Sequence, residues 1–367
     1  MLNTSAVINY YRRKRDGDPR TTTNPELMDI PQELQNYKGN PFVVFDSGPS
    51  TRRIIIFSTP ALIEFLERSE WWEFDGTFAL VPKGWKQLLT LHAKQGENFI
   101  PCLHALLPKK SRRTYDRFFA AVQQLNPYAK VTHAHMDFER TLIASFEHHY
   151  NLAEKHGCFA HFARALYRRV QKLSLTRKYK EEGAFTAVFD MLKSLGRHLS
   201  LVHPTTNIHA AFDAVMLRYA RNADGTDKFE VGSSEKRFIE YFVQTWLGHI
   251  NGRRPMFPNE LWNCFDLTRE GKSKTTNSLE AWHNALKLTL GSPDGKRPRF
   301  WKWLRQMKKE CSLKEAELIR LQSTPMKLKT ADKRIAQQRK ELAENYNPME
   351  MFQYLQNQAN YTVIDQF

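Results

Sequence analysis

The apolar positions change period along the chain. Residues 42–46 (FVVFD) and 53–58 (RIIIFS) are short β-rich runs separated by Gly48-Pro49, which predicts two strands and a turn. Pro60 opens a helical pattern through Leu66. Three longer runs follow, at 71–80, 85–92 and 99–107, divided by Pro82-Lys83-Gly84 and Gln95-Gly96-Glu97-Asn98. Their spacing predicts an antiparallel meander. Pro101 has no N–H to give a ladder, so the third run is expected to start at an edge or a bulge. Residues 112–125 carry a helical period. Residues 130–137 alternate, with Val131, His133, His135 and Asp137 on one face. A helix over 138–150 and a short strand ending near Cys158 complete a β-β-β-α-β-α-β order, a mixed α/β core.

After Cys158 the period is helical. Phe159, Phe162, Ala163, Leu166, Val170 and Leu173 form one stripe, and Arg164, Arg168, Arg169 and Lys172 lie off it. Helices are predicted over 184–201, 207–221, 235–250 and 278–290, with two or three more in 299–360. Residues 251–275 read as loop. The expected organisation is a polar N-terminal arm (1–40), the first part of the core (41–165), an all-α insertion (166–275), a last core helix (276–300) and a C-terminal helical region (301–367).

Composition narrows the partners. The 367 residues carry a formal charge of +16, which points to a polyanion, most simply nucleic acid. Residues 161–300 hold 23 Lys/Arg against 14 Asp/Glu, and residues 161–180 hold seven Lys/Arg and no acid. The excess therefore belongs to a folded segment rather than to a tail. Hydrophobic residues at 41 % allow a real core. No apolar stretch reaches the roughly 18 residues of a membrane span, and residues 1–17, polar and then basic with no apolar run, carry the expectation of no secretory signal. The four cysteines are scattered, which favours a reducing compartment over a disulfide framework.

Three carboxylates stand out. Asp75 sits inside an apolar strand, Asp137 ends the alternating strand, and Glu280 lies in the first turn of the late helix. A carboxylate in an apolar strand needs charge compensation. Divalent Mg²⁺ or Mn²⁺ supplies it through hard oxygen ligands. Structural readings stand beside this one: Asp75 next to Gly76 as a turn residue, Asp137 as an N-cap, and Asn277 with Glu280 as a capping box.

At these residues the sequence resembles a known family. DGTF (75–78), ValProLysGlyTrpLysGlnLeu (81–88) and IleProCysLeuHisAlaLeuLeu (100–107) are similar to the start of the catalytic domain of Mutator-like (MULE) transposases. Met136-Asp137-Phe138-Glu139, Gly157-Cys158-Phe159-Ala160-His161-Phe162 and Asn277-Ser278-Leu279-Glu280-Ala281-Trp282-His283 continue the series, over about 41–360. The resemblance implies an RNase H-like core interrupted by a helical insertion, with Asp75, Asp137 and Glu280 as a DDE triad. It further implies two Mg²⁺ (or Mn²⁺) ions, cleavage at transposon ends, and attack of the released 3′-OH on target DNA without a covalent protein intermediate. The expected partners are double-stranded DNA, both terminal repeats and target, and further copies of the chain. No membrane partner is expected, and the expected location is the nucleus. Arg12-Arg13-Lys14-Arg15 reads as a localisation signal or as a solvated cluster. Many relatives carry an upstream zinc-binding DNA-recognition module, and residues 1–40 contain no Cys or His. A transposase-derived DNA-binding protein without catalysis is the alternative.

Secondary candidates complete the picture. Cys158 and His161 supply only half of a tetrahedral zinc site; Cys264 and His283 are the available completion, and zinc is not the favoured reading. His283 lies one turn from Glu280, either near the scissile phosphate or as a packed histidine. His133 and His135 are read as sheet packing. Arg164, Arg168, Arg169, Lys172, Lys272 and Lys274 are the expected phosphate contacts, followed by Lys109-Lys110, Arg112-Arg113 and Arg253-Arg254.

Overall fold

The computed structural model describes residues 22–96, 98–198, 204–250, 252–264, 277–290, 297–323 and 330–345, with isolated positions elsewhere. The fold is mixed α/β. Strands β1 (Val43–Asp46), β2 (Ile55–Phe57), β3 (Trp71–Thr77), β4 (Gln87–Gln95), β5 (Asn98–Leu107), β6 (His133–Met136) and β7 (Glu154–Gly157) form one sheet of order β1-β2-β5-β4-β3-β6-β7. The pairs β1/β2, β2/β5, β4/β5 and β3/β4 are antiparallel. The meander is therefore β3-β4-β5, as its turn residues predict. Its ladder shifts register between Leu91 and His92, where His92 faces Pro101. The donor that Pro101 lacks is thus absorbed by a bulge.

The chain divides into two compact units. The first comprises residues 1–134, 139–154 and 277–326; the second comprises 135–138, 155–276 and 327–367. The division differs from the expected one. The break falls after Glu154 rather than near residue 165, residues 135–138 group with the second unit, and the C-terminal region splits at 326. The helix start at Phe159 already belongs to the second unit, because its apolar stripe packs on helices there rather than on the sheet.

In the first unit, α1 (Pro60–Arg68), α2 (Arg112–Leu125) and α3 (Arg140–His149) accompany the sheet. Ser111 caps α2 by accepting from the Thr114 N–H. One sheet face is aromatic: Phe74 packs edge-on against Phe119 of α2 and Phe146 of α3 at 5.6 and 5.4 Å. The polar arm is tied down over part of its length. Buried Arg53 donates to the carbonyls of Glu26 and Met28 while pairing with Asp46. Composition alone could not show this anchor, because the arm contributes backbone carbonyls to it.

The second unit contains α4 (Phe159–Lys172), α5 (Thr176–Lys180), α6 (Ala184–His198), α7 (Pro204–Val215), α8 (Ser234–Phe242) and α9 (Asn259–Trp262). Phe162 stacks on Trp262 at 5.1 Å, and Trp246 meets Phe162 edge-on at 4.8 Å. Two predicted helices end in π turns, Met216–Ala220 and Val243–Leu247. Helices α10 (Asn277–Leu290) and α11 (Phe300–Ser323) belong to the first unit, and α12 (Thr330–Glu344) to the second. Among the described residues, no helix is long and apolar enough to cross a membrane.

Candidate active site

Asp75 lies near the end of β3, and the ladder fixes its surroundings. It faces Thr90 of β4, which in turn faces His104 of β5. Partners in register point to the same side of a sheet, so these three side chains form a row across the meander. Glu73 and His92 face each other two residues away and share that side. All of the row except Asp75 is buried; Asp75 is part-buried. This polar row is the reverse of the aromatic face that carries Phe74.

Helix α10 covers the row. Trp282 stacks on the His104 ring at 5.2 Å with an interplanar angle of 22°, and meets the His92 ring edge-on at 5.6 Å. The next residue, His283, places Nδ1 2.9 Å from Asp75 Oδ2. The other carboxylate oxygen, Oδ1, accepts from the Gly76 N–H at 2.8 Å. Burial holds His104 neutral, pushing its pKa down to about 3, with nearby His283 acting in the same direction. His92 is lowered well below its ordinary value, first by burial and then by His283, His104 and Lys314. Both rings therefore serve as neutral walls for the Trp282 indole.

The glycine of DGTF has a steric explanation. A Cβ on Gly76 would lie 1.8 Å from Gln87 Nε2. Gln87 is buried and cannot swing away freely, because its Oε1 lies 2.9 Å from the Tyr115 hydroxyl. The same hydroxyl lies 2.6 Å from Glu139 Oε1, and Lys110 pairs with Glu139. A polar chain thus runs from Gln87, which packs against the residue after Asp75, to the last residue of the MDFE motif.

Asp137 follows β6 directly and belongs to the second unit. Its Oδ1 accepts from the Phe138 N–H at 2.6 Å. His161, in the first turn of α4, brings Nε2 to 3.9 Å from Asp137 Oδ2. The N-cap reading of Asp137 is overturned: Glu139 is the cap residue of α3, and it makes no side-chain cap bond. Phe138 turns into the aromatic core, edge-on to Trp246 at 4.9 Å and Phe257 at 5.1 Å. Gly157 leaves the room for it, since a Cβ there would come within 2.3 Å of the Phe138 ring. Cys158 is buried at the start of α4 and its N–H donates to the Met136 carbonyl. Cys264, the possible zinc ligand, is buried with Sγ 3.7 Å from the Trp262 carbonyl. His283 faces Asp75 rather than a thiolate pair.

Glu280 lies in the first turn of α10, and its side chain is outside the described residues, as are Lys272, Lys274, Arg12 and Arg13. Asn277 is the first residue of α10. Of the basic candidates on α4, Arg168 and Lys172 are exposed, and Arg164 is half-buried. Arg169 is turned inward, its guanidinium 5.0 Å from the Tyr241 ring centre. Beyond α4, Lys178 pairs with Glu235, and Arg177 with Glu181 at 3.1 Å. The acid-free run therefore finds one acid next to its window, Glu181, and another on α8, Glu235. Lys110 and Arg112 are likewise engaged, with Glu139 and Asp116, whereas Arg253 and Arg254 are exposed. His133 stacks on Trp71 at 4.2 Å, a packing contact, and its Nδ1 lies 3.4 Å from Glu154.

Sequence reasoning did not find the wall of His92 and His104, the Gln87–Tyr115–Glu139 chain, or the His283–Asp75 contact. A register count outward from the two meander turns would have found the first, since it aligns Asp75, Thr90 and His104. Comparison of the chain with protein-family models and with curated proteins finds no match.

Proposed function

We propose that the chain is a DDE-type DNA transposase with an RNase H-like core, acting in the nucleus on double-stranded DNA. One observation carries the reading: the His283–Asp75 contact. It joins the first motif of the series, DGTF, to the last, NSLEAWH, although they stand at opposite ends of the core sequence. A second contact, His161 with Asp137, joins the middle motif to CxxH. The sheet order adds support. From Trp71 onward the five strands run third-second-first-fourth-fifth, so the strand bearing Asp75 is central and its neighbour is the strand that Asp137 follows. An RNase H-like core has this order.

The residues fit a divalent metal. Each aspartate accepts a backbone N–H at one oxygen, and carboxylate oxygens, hard donors with two lone pairs each, are the ligands such a cation takes. Asp75, Asp137 and Glu280 would hold two Mg²⁺ or Mn²⁺ ions, which supply activation of the attacking oxygen and stabilisation of the leaving oxygen at a phosphodiester. The chain's other residues bind and orient. Arg168 and Lys172 offer exposed positive charge to the DNA backbone. The Gly76 and Phe138 N–H groups fix the two carboxylates from the main chain.

The test uses purified protein with Mg²⁺ or Mn²⁺ on DNA bearing terminal inverted repeats, taken from the sequence flanking the coding region, or with preprocessed 3′ ends. Strand cleavage and transfer are expected. Asp75→Ala and Asp137→Ala should each lower the rate by more than about 100-fold, beyond what removal of a supporting partner costs. Activity that survives Asp75→Ala would sink the assignment.

A further inference from the structure

His283 is set up to act on Asp75 and on little else. Its side chain is about as buried as that of Asp75, at 10 % and 13 % exposure. With Nδ1 directed at Asp75, Nε2 is buried and has no hydrogen-bond partner among the described residues. An imidazole buried with an empty nitrogen costs free energy, so the contact at Nδ1 and the packing of the helix must offset it. The packing is visible one residue earlier. Trp282 is seated between the rings of His92 and His104 and is itself buried. That seat fixes the depth and rotation of α10, and adjacent residues on a helix turn together.

We propose that His283 is a positioning residue for Asp75: its Nδ1–H donates to Oδ2 and locks the carboxylate in one rotamer, with Trp282 in its histidine seat setting the register. The Gly76 N–H holds Oδ1 from the strand side, so the two donors grip the carboxylate from both ends. A carboxylate oxygen carries two lone pairs, so one accepted hydrogen bond does not by itself exclude a metal. The grip therefore orients Asp75 for a cation without consuming it. Donors of this kind, one step removed from a metal, tune affinity by holding their ligand in place. The proposal rests on the reading of Asp75 as a metal-binding carboxylate.

The experiment measures Mn²⁺ binding to the full chain by paramagnetic resonance of free Mn²⁺, with thermal unfolding followed in parallel. Four proteins are compared: wild type, Asp75→Ala, His283→Leu and His283→Asn. Leucine removes the donor, whereas the asparagine amide keeps an N–H near the Nδ1 position. Asp75→Ala should abolish the site. His283→Leu should weaken Mn²⁺ binding about tenfold, and His283→Asn should restore it to within about threefold of wild type. If Asp75→Ala binds Mn²⁺ like wild type, the reading of Asp75 fails and the inference falls with it. If Asp75→Ala loses the site while His283→Leu binds as tightly as wild type or tighter, the positioning role alone is overturned. Should His283→Leu not fold, His283→Asn decides: a folded protein with near-native affinity supports donation from Nδ1. A folded His283→Asn that has lost the site overturns that role.

Discussion

At Gly76 the space for a side chain is already occupied by the Gln87 amide. Gly76→Ala must push a buried amide off the Tyr115 hydroxyl, so it should destabilise the fold by about 1–3 kcal/mol, read by urea unfolding. Gly157 is in the same position with respect to Phe138. Both glycines sit beside motif residues, and their rigidity reflects packing rather than chemistry. Single residues were the least legible level of the sequence. That Asp75 needs compensation follows from its apolar strand, but the identity of the compensating group does not. His283 lies far along the chain, and local spacing made a scissile-phosphate contact and a packed histidine equally reasonable. Arg169 shows the same limit: it lies off the apolar stripe, yet Tyr241 draws it inward.

Elements were far more legible, because periodicity is a local property. The helix at 112–125 appears over the predicted residues, and the helix expected at 278–290 runs from Asn277 to Leu290. The three meander strands appear with shifted ends: β4 runs on to Gln95, since the turn closes only at the glycine that follows. The π turns at Met216–Ala220 and Val243–Leu247 leave no mark in the apolar pattern. A single π turn shifts the side-chain phase over only a few residues, too few to stand out from the helical period around it. Helix α4 yields a prediction at this scale. Arg168→Glu and Lys172→Glu should each flatten the log–log salt dependence of DNA affinity, by about 0.9 for every phosphate that is no longer neutralised. Arg169→Ala should leave that slope unchanged and instead cost about 0.5–2 kcal/mol of stability, because the Tyr241 ring then has no cation over it. Fluorescence anisotropy across a salt series separates the two. An unchanged slope in both charge reversals would remove α4 from the DNA interface.

For the molecule as a whole, charge and burial set a pH window. Asp75 and Glu73 share the sheet side of His104 and His92, yet burial, followed by His283, still lowers the pKa of His104, and burial with His283, His104 and Lys314 lowers that of His92. The pKa of His104 is about 3 when folded and near the ordinary 6.5 when unfolded. Above that ordinary value both states are neutral and nothing is lost. As pH falls toward 3 the unfolded chain takes up a proton that the folded chain refuses. Stability therefore declines by about 1.4 kcal/mol per pH unit from this group, and His92 adds in the same direction. Urea midpoints between about pH 7 and about pH 5 should show this slope, and His104→Phe, which keeps a ring against Trp282, should flatten it. The net charge of +16 pointed to a polyanion, and the mixed α/β class followed from the order of elements. The break between the two units did not, since it depends on which core each helix joins. The polar chain of Gln87, Tyr115, Glu139 and Lys110, with Gln87 packed against Gly76, bears on how the two motifs would change with time. In the function proposed above, Gly76 and Glu139 of the two motifs maintain a folded domain, while Asp75 and Asp137 would serve the reaction. A descendant gene that kept its product folded but no longer moved DNA would retain the glycine, the tyrosine and the glutamate. Its two aspartates would be free to drift, so descent could be dated by which letters of one short motif decay first.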